Sequence, residues 1–135
     1  MKRLPVLCLL MLLAACAAHD EIVTQDKEQA IRDFIAVRQL AELNDISTAI
    51  TDNYEELEAH FVLYKTRRAT YLFEFARACH ELNEYPVVAD ERWDSNSIRA
   101  RADTLRGCRI SAIYALSESD VAELQAIGES PGSRN

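Results

Sequence analysis

HFVLYKTRRATYLFEFA, residues 60–76, reads as two runs of bulky β-forming side chains around a short turn, Thr66-Arg67-Arg68-Ala69. With Arg67 and Arg68 at the tip, Tyr64 faces Tyr71, Leu63 faces Leu72 and Val62 faces Phe73. Cross-strand pairs of this kind each contribute roughly 0.2–1 kcal/mol over alanine pairs. Alternation puts Val62, Tyr64, Tyr71, Phe73 and Phe75 on one face, the expected core face. Phe61, Leu63, Lys65, Leu72 and Glu74 fall on the other, a mixed face. Arg-Arg is a poor two-residue turn, since tight hairpins favour Gly or Asn at positive φ. A four-residue loop keeps the same pairing.

Working outward, Thr51–Glu58 (TDNYEELE) reads as an acidic, turn-like lead into the hairpin. Before it, the apolar positions between Ile31 and Ile50 fit both the helical and the strand period in part. The run Phe34-Ile35-Ala36-Val37 is β-rich, so a strand is expected over about 33–38 and another over about 46–50. After the hairpin, Phe75–Leu82 has the spacing of a short helix at Phe75, Cys79 and Leu82. Asn83–Ser97 is the longest irregular stretch, and such loops are where binding residues concentrate. Tyr85 and Trp93 lie in it as candidate interface residues, with cover for a core the plainer reading of Trp93. From Ile98, Ala100 and Ala102 alternate with Arg99, Arg101 and Asp103. Cys108, Ile110, Ala112, Tyr114 and Leu116 then continue a strand on one side, with Ile113 on the other. Ser117, with Asp120 three residues on, resembles a capping box, and Gly128 is a natural stop. A C-terminal helix with Val121, Leu124 and Ile127 inward follows. The expected fold is α+β: a small, mainly antiparallel sheet or partly closed barrel with a C-terminal helix.

The chain of 135 residues opens with Met1-Lys2-Arg3, an apolar run and Cys16. A basic start, a short apolar segment and small residues before a cut site make a secretory signal. The apolar run is too short for a permanent span, which needs about 20 residues. Leu13-Ala14-Ala15-Cys16 resembles the bacterial lipobox. That resemblance implies export, removal of residues 1–15, diacylglycerol on Cys16 and a membrane anchor. An ordinary signal peptide cut after Ala18 is the alternative. Ala17, rather than Asp, points to the outer membrane of a Gram-negative host. The expected organisation is a signal at 1–15, a tether at 16–28, one globular domain at 29–128 and a tail at 129–135. Loss of Lys2 and Arg3 takes the net charge from −7 to −9. That argues against nucleic acid as a general partner.

Cys8 leaves with the signal and Cys16 takes the lipid, so Cys79 and Cys108 remain of the four cysteines. In an oxidising compartment two cysteines read as one disulfide. A redox motif is usually CxxC and a zinc site needs four ligands, whereas His80 is the only histidine nearby. No metal or cofactor is expected. Phosphate-loop, zinc-protease and serine-hydrolase motifs are missing, so catalysis has no local support. One polar constellation stands out: Arg92, Arg99, Arg101, Arg106 and Arg109, with Asp103 among them. Guanidinium forks suit carboxylates and phosphates, so these five are the candidate anion-binding residues. A solvated face neutralised by Asp90, Glu91, Asp94 and Asp103 is the plainer reading.

The segments RDFIAVRQLAELNDI, YLFEFARACHEL and DSNSIRARADTLRGCRISAIYALSESDVAELQAIGE together resemble a family of small proteobacterial lipoproteins of unknown function. Its marks here are Cys79 after the hairpin, Arg99 and Arg101 with Asp103-Thr104, and Cys108-Arg109-Ile110. The resemblance implies a compact, mainly β domain with a disulfide and assigns no catalytic residue. Two functions follow as expectations: a non-catalytic envelope module that binds another protein, or a binder of an anionic polymer, head group or small ligand through the arginines.

Overall fold

The hairpin forms in the expected register: β4 (Phe61–Lys65) pairs antiparallel with β5 (Thr70–Phe75), with Tyr64 opposite Tyr71 and Val62 opposite Phe73. The structure, a computed structural model, describes residues 27–48, 53–83 and 96–128. The turn works without Gly or Asn because Thr66 replaces them. Its Oγ1 accepts from the backbone N–H groups of Arg68 (3.3 Å) and Ala69 (3.1 Å), and its own N–H reaches Ala69 O at 2.9 Å. A threonine hydroxyl can organise a turn in this way. Neither Arg67 nor Arg68 has positive φ.

Around the hairpin the sheet runs β1-β8-β5-β4-β3, all antiparallel, with β1 at Glu42–Leu43, β3 at Asn53–Glu58 and β8 at Cys108–Ala115. A short strand, β7 (Thr104–Leu105), folds back on the start of β8. Among the described residues the sheet stays open and no barrel closes. A separate two-stranded ribbon pairs β2 (Asp45–Ser47) with β6 (Ser97–Arg99).

Both faces of the sheet are buried, which explains why the hairpin carries so little polarity. One face holds Val62, Tyr64, Phe73, Phe75, Leu105, Cys108, Ile110 and Ile113, closed by Ile46 and Ile98 of the ribbon. Tyr64 and Phe73 stack there with ring centroids 4.7 Å apart, an arrangement that adds about 0.5–1.5 kcal/mol to area burial. The face read from sequence as mixed is instead a second core. Phe61, Leu63 and Leu72 meet Ile31 and Phe34 of α1 (27–38) and Leu124 of α2 (Glu118–Gly128).

Helix α1 replaces the strand expected at 33–38. A strand would send Phe34 and Ile35 to opposite sides. The helix puts Ile31, Phe34 and Ile35 on one stripe and leaves Val37 81% exposed. Glu28, read as tether, is helical and belongs to the folded domain. The helix ends in a Schellman-type cap, with Leu40 N–H donating to Ile35 O and Gln39 N–H to Ala36 O. Gln39 takes the left-handed conformation, φ 50°, that Gly usually fills there.

Further expectations need correction. The acidic lead at 51–58 is strand β3 from Asn53 onward; its Leu57 is the extra residue of a bulge opposite Val62 and Phe61. The strand expected at 46–50 is Asp45–Ser47, and residues 49–50 lie outside those described. Phe75–Leu82 is not a helix: Phe75 ends β5, and only a 3-10 turn at Glu81–Asn83 is helical. There the chain is tied instead by Cys79 N–H donating to Ala59 O at 2.7 Å. Ile113 shares a core with Ile110 because Ser111 is an extra residue opposite Glu74 and Phe75. That bulge resets the two-residue alternation, so Tyr114, not Ile113, faces the helices. The C-terminal helix forms as expected. Ser117 N–H donates to Asp120 Oδ2 at 2.9 Å and Asp120 N–H to Ser117 Oγ at 3.2 Å, while Val121, Leu124 and Ile127 face inward.

Candidate functional site

The chemistry singled out by the sequence meets at one corner, between the end of β6 and the start of β8. The cysteines are joined: Cys79 and Cys108 form a disulfide with Cα atoms 5.8 Å apart, both essentially buried. Glu81 Oε2 lies 3.2 Å from Cys108 Sγ. The sulfur is bonded to its partner and carries no proton, so this is a contact and not a hydrogen bond. Arg77 reaches Glu81 at 2.7 Å and holds its carboxyl below the usual glutamate range. Among the described residues, Cys79, Glu81 and Cys108 are the one group of metal-ligand types within 4.8 Å of one another. With both sulfurs in the disulfide, no thiolate is left to bind a metal.

The alternating run at 98–103 is a strand only to Arg99. Ala100–Ala102 turn the chain, and Arg101 sits at φ 65°. Asp103 organises the turn. It is only 2% exposed, and its Oδ2 accepts from Arg99 N–H at 2.7 Å while Oδ1 lies 3.6 Å from Arg99 Nη2. Its backbone N–H donates to Arg99 O (3.1 Å) and its carbonyl accepts from Ile110 N–H (3.1 Å). The next turn, Arg106-Gly107, has φ of 53° and 81° and joins β7 to β8 as a two-residue hairpin. Two left-handed central residues are what such a loop requires. Gly107 supplies one without strain, and Arg106 is the exception.

The arginines make bonds within the chain, although Arg101 and Arg109 stay exposed. Arg106 donates through Nε and Nη2 to Leu82 O, at 3.2 and 3.1 Å, and Tyr54 OH reaches the same carbonyl at 3.0 Å. Arg109 Nη1 donates to Ala102 O at 2.7 Å, and Arg101 pairs with Glu42. Arg99, Arg101, Arg106 and Arg109 therefore share the corner, each engaged within the chain. Arg92, Trp93 and Tyr85 lie outside the described residues, as does Cys16. The hairpin aromatics Phe61, Tyr64, Phe73 and Phe75 are core residues with at most 2% exposure, so they present no contact surface.

A second polar cluster was not anticipated. Under α1, Arg32 pairs with Glu28 at 2.8 Å and with Glu74 of β5, and its guanidinium sits over the Phe61 ring. His60 Nδ1 lies 3.2 Å from Glu28, and Tyr114 OH donates to Glu74 at 3.4 Å. Arg32, with help from His60, holds the Glu28 carboxyl below its usual range; burial and then Glu74 push the Tyr114 hydroxyl up. The signal was the Glu28/Arg32 spacing of four, which brings a pair into contact in a helix but leaves it about 13 Å apart along a strand.

The fold and corner define a small, disulfide-linked α+β domain with two cores and an arginine corner whose side chains bond within the chain. The chain belongs to a family of unknown function (DUF6491), whose model matches residues 1–130. No curated protein and no solved structure matches it. Among the described residues, no helix is long and apolar enough to cross a membrane.

Proposed function

We propose that this is a lipid-anchored bacterial cell-envelope protein, tethered through Cys16 to the outer membrane and facing the periplasm. There it serves as a non-catalytic module that binds another envelope protein. The observation that carries the reading is Leu13-Ala14-Ala15-Cys16 behind Met1-Lys2-Arg3 and an apolar run. A Cys79–Cys108 disulfide suits the oxidising compartment that such export implies. Binding is preferred to turnover because the prominent residues have structural employment: the cysteines are bonded, Asp103 holds a turn, and Arg106 and Arg109 cap carbonyls. The same engagement argues against an anion site at Arg99, Arg101, Arg106 and Arg109.

The test is fractionation with metabolic palmitate labelling. The wild-type chain is expected in the membrane pellet and labelled; the Cys16→Ser variant is expected unlabelled and released. Continued pelleting of an unlabelled variant would refute the anchor. Cross-linked capture from envelope membranes tests the second half. One protein captured by wild type and lost with Trp93→Ala or Tyr85→Ala supports a protein partner. Capture of polymer or lipid alone sinks it.

A further inference from the structure

The seven described arginines other than Arg67 and Arg68 all reach a carboxylate or a backbone carbonyl. Arg67 and Arg68, exposed at the hairpin tip, are the two that do not. In a chain of net charge −7, two neighbouring cations without a carboxylate are an uncompensated local feature. They also do not stand on a flat surface. With Thr66 and Tyr71 they line a cleft of about 500 Å³ whose opposite wall is Leu43 and the ribbon strand β2 with Thr48. That volume is in the range that holds small ligands.

The wall chemistry narrows the ligand. A guanidinium fork takes a carboxylate or a phosphate in two parallel hydrogen bonds. Asp45, on the facing strand, also lines the cleft and has no cationic partner among the described residues. Its charge disfavours a dianion such as phosphate and leaves the balance suited to a single negative charge. Leu43, Ile46 and Tyr71 give the cleft an apolar side, which a hydrocarbon body would cover. Thr48 adds an independent sign. It is 7% exposed, and its buried Oγ1 has no hydrogen-bond partner, an arrangement that native interiors rarely leave unexplained.

We propose that the cleft between the hairpin tip and β2 is a binding site for a monocarboxylate with an apolar body, held through Arg67 and Arg68. The ligand is a small organic acid or the carboxyl end of a peptide, which share this chemistry. The assignment does not rest on membrane anchoring and uses none of the arginines at the disulfide corner. It differs from the second cleft beside Arg68, where Glu118 and Ser117 of the α2 cap supply the wall and Arg67 takes no part.

The experiment is amide NMR on the full chain in detergent, titrated with N-acetyl-leucine, with N-acetyl-leucinamide, which lacks the carboxylate, and with inorganic phosphate. The acid is expected to shift the amides of residues 45–48 and 66–71, and the amide to leave them in place. Arg67→Gln with Arg68→Gln is expected to weaken the acid about tenfold, the usual scale for lost charge-assisted hydrogen bonds. Asp45→Asn is expected to tighten it. Because these side chains are exposed and make no ion pair, the variants should keep the wild-type melting temperature. Equal binding of acid and amide, tighter binding of phosphate, or an unchanged affinity in the double variant would each overturn the site. So would no shift with the acid at tens of millimolar. A dipeptide ending in leucine, compared with free 4-methylpentanoate, then separates a peptide end from a simple acid.

Discussion

Asp103 carries more of this structure than its surface-like sequence setting suggests. Its buried carboxylate accepts from the Arg99 N–H, and its backbone ties β6 to β8. Asp103→Ala would leave that donor buried without an acceptor, a loss of about 1–3 kcal/mol. The urea midpoint is expected to fall accordingly, whereas Asp103→Asn, which keeps an acceptor oxygen, should recover much of it. A loss below about 0.5 kcal/mol, the scale of an ordinary surface substitution, would deny the residue this role. The acid limb of stability is likewise set by single residues. Asp120 is held low by the Ser117 hydroxyl and N–H, Glu55 by Lys65 and Glu28 by Arg32. Each carboxyl titrates lower in the folded chain than in the unfolded one. The stabilisation is therefore complete above the unfolded values, about 4, and is lost as pH falls through the folded ones. Urea unfolding at a series of pH values should show stability level near neutrality and declining below about pH 4. Asp120→Asn should make that decline shallower; an unaltered slope would remove Asp120 from the account.

At the scale of elements, α1 is where packing decides against local preference. Ile31 has no exposure and Phe34 only 6%, both against Phe61, Leu63 and Leu72. Ile31→Ala is expected to cost about 2–5 kcal/mol, as for other fully buried aliphatic truncations, while Val37→Ala, at the exposed side, should cost little. Comparable losses at the two positions in denaturant unfolding would contradict the docking of this helix. The same comparison explains what could be read beforehand. The β4–β5 hairpin was legible because its tyrosines, phenylalanines and leucines satisfy pairing and burial together in one local segment. The α2 start was legible because Ser117 and Asp120 close their bonds within four residues. Phe34-Ile35-Ala36-Val37 misled because β-branched content is a weak prior, overruled by a long-range partner surface at Phe61 and Leu72. Leu57 and Ser111 are extra residues in bulges, and nothing local marks them. The free arginine pair was hidden for a related reason: whether a guanidinium is neutralised depends on strands far away in the chain.

For the molecule as a whole, the disulfide joins residues 29 apart, a loop whose closure restricts the unfolded chain by roughly 3–4 kcal/mol in the chain-entropy model. Reduction under conditions that expose the bond should lower the melting temperature, and Cys79→Ala/Cys108→Ala should reproduce the shift. Equal melting of oxidised and reduced protein would show the bond to be incidental. Fold class and bond were within reach of the sequence because each follows from composition and a few spacings. Strand order was not, since it depends on which edges meet.

That order has a consequence for how the molecule comes into being. Strand β8, the last in sequence, lies between β1 and β5. As the chain emerges from its N-terminal end, β3, β4 and β5 can pair in turn, but β1 has no hydrogen-bonding neighbour until residues 113 and 114 arrive. The place between β1 and β5 is thus filled last, and Cys79 waits for Cys108 in the same interval. Until then the nascent chain can form no more of this sheet than the β3-β4-β5 meander, with one edge of β5 unpaired.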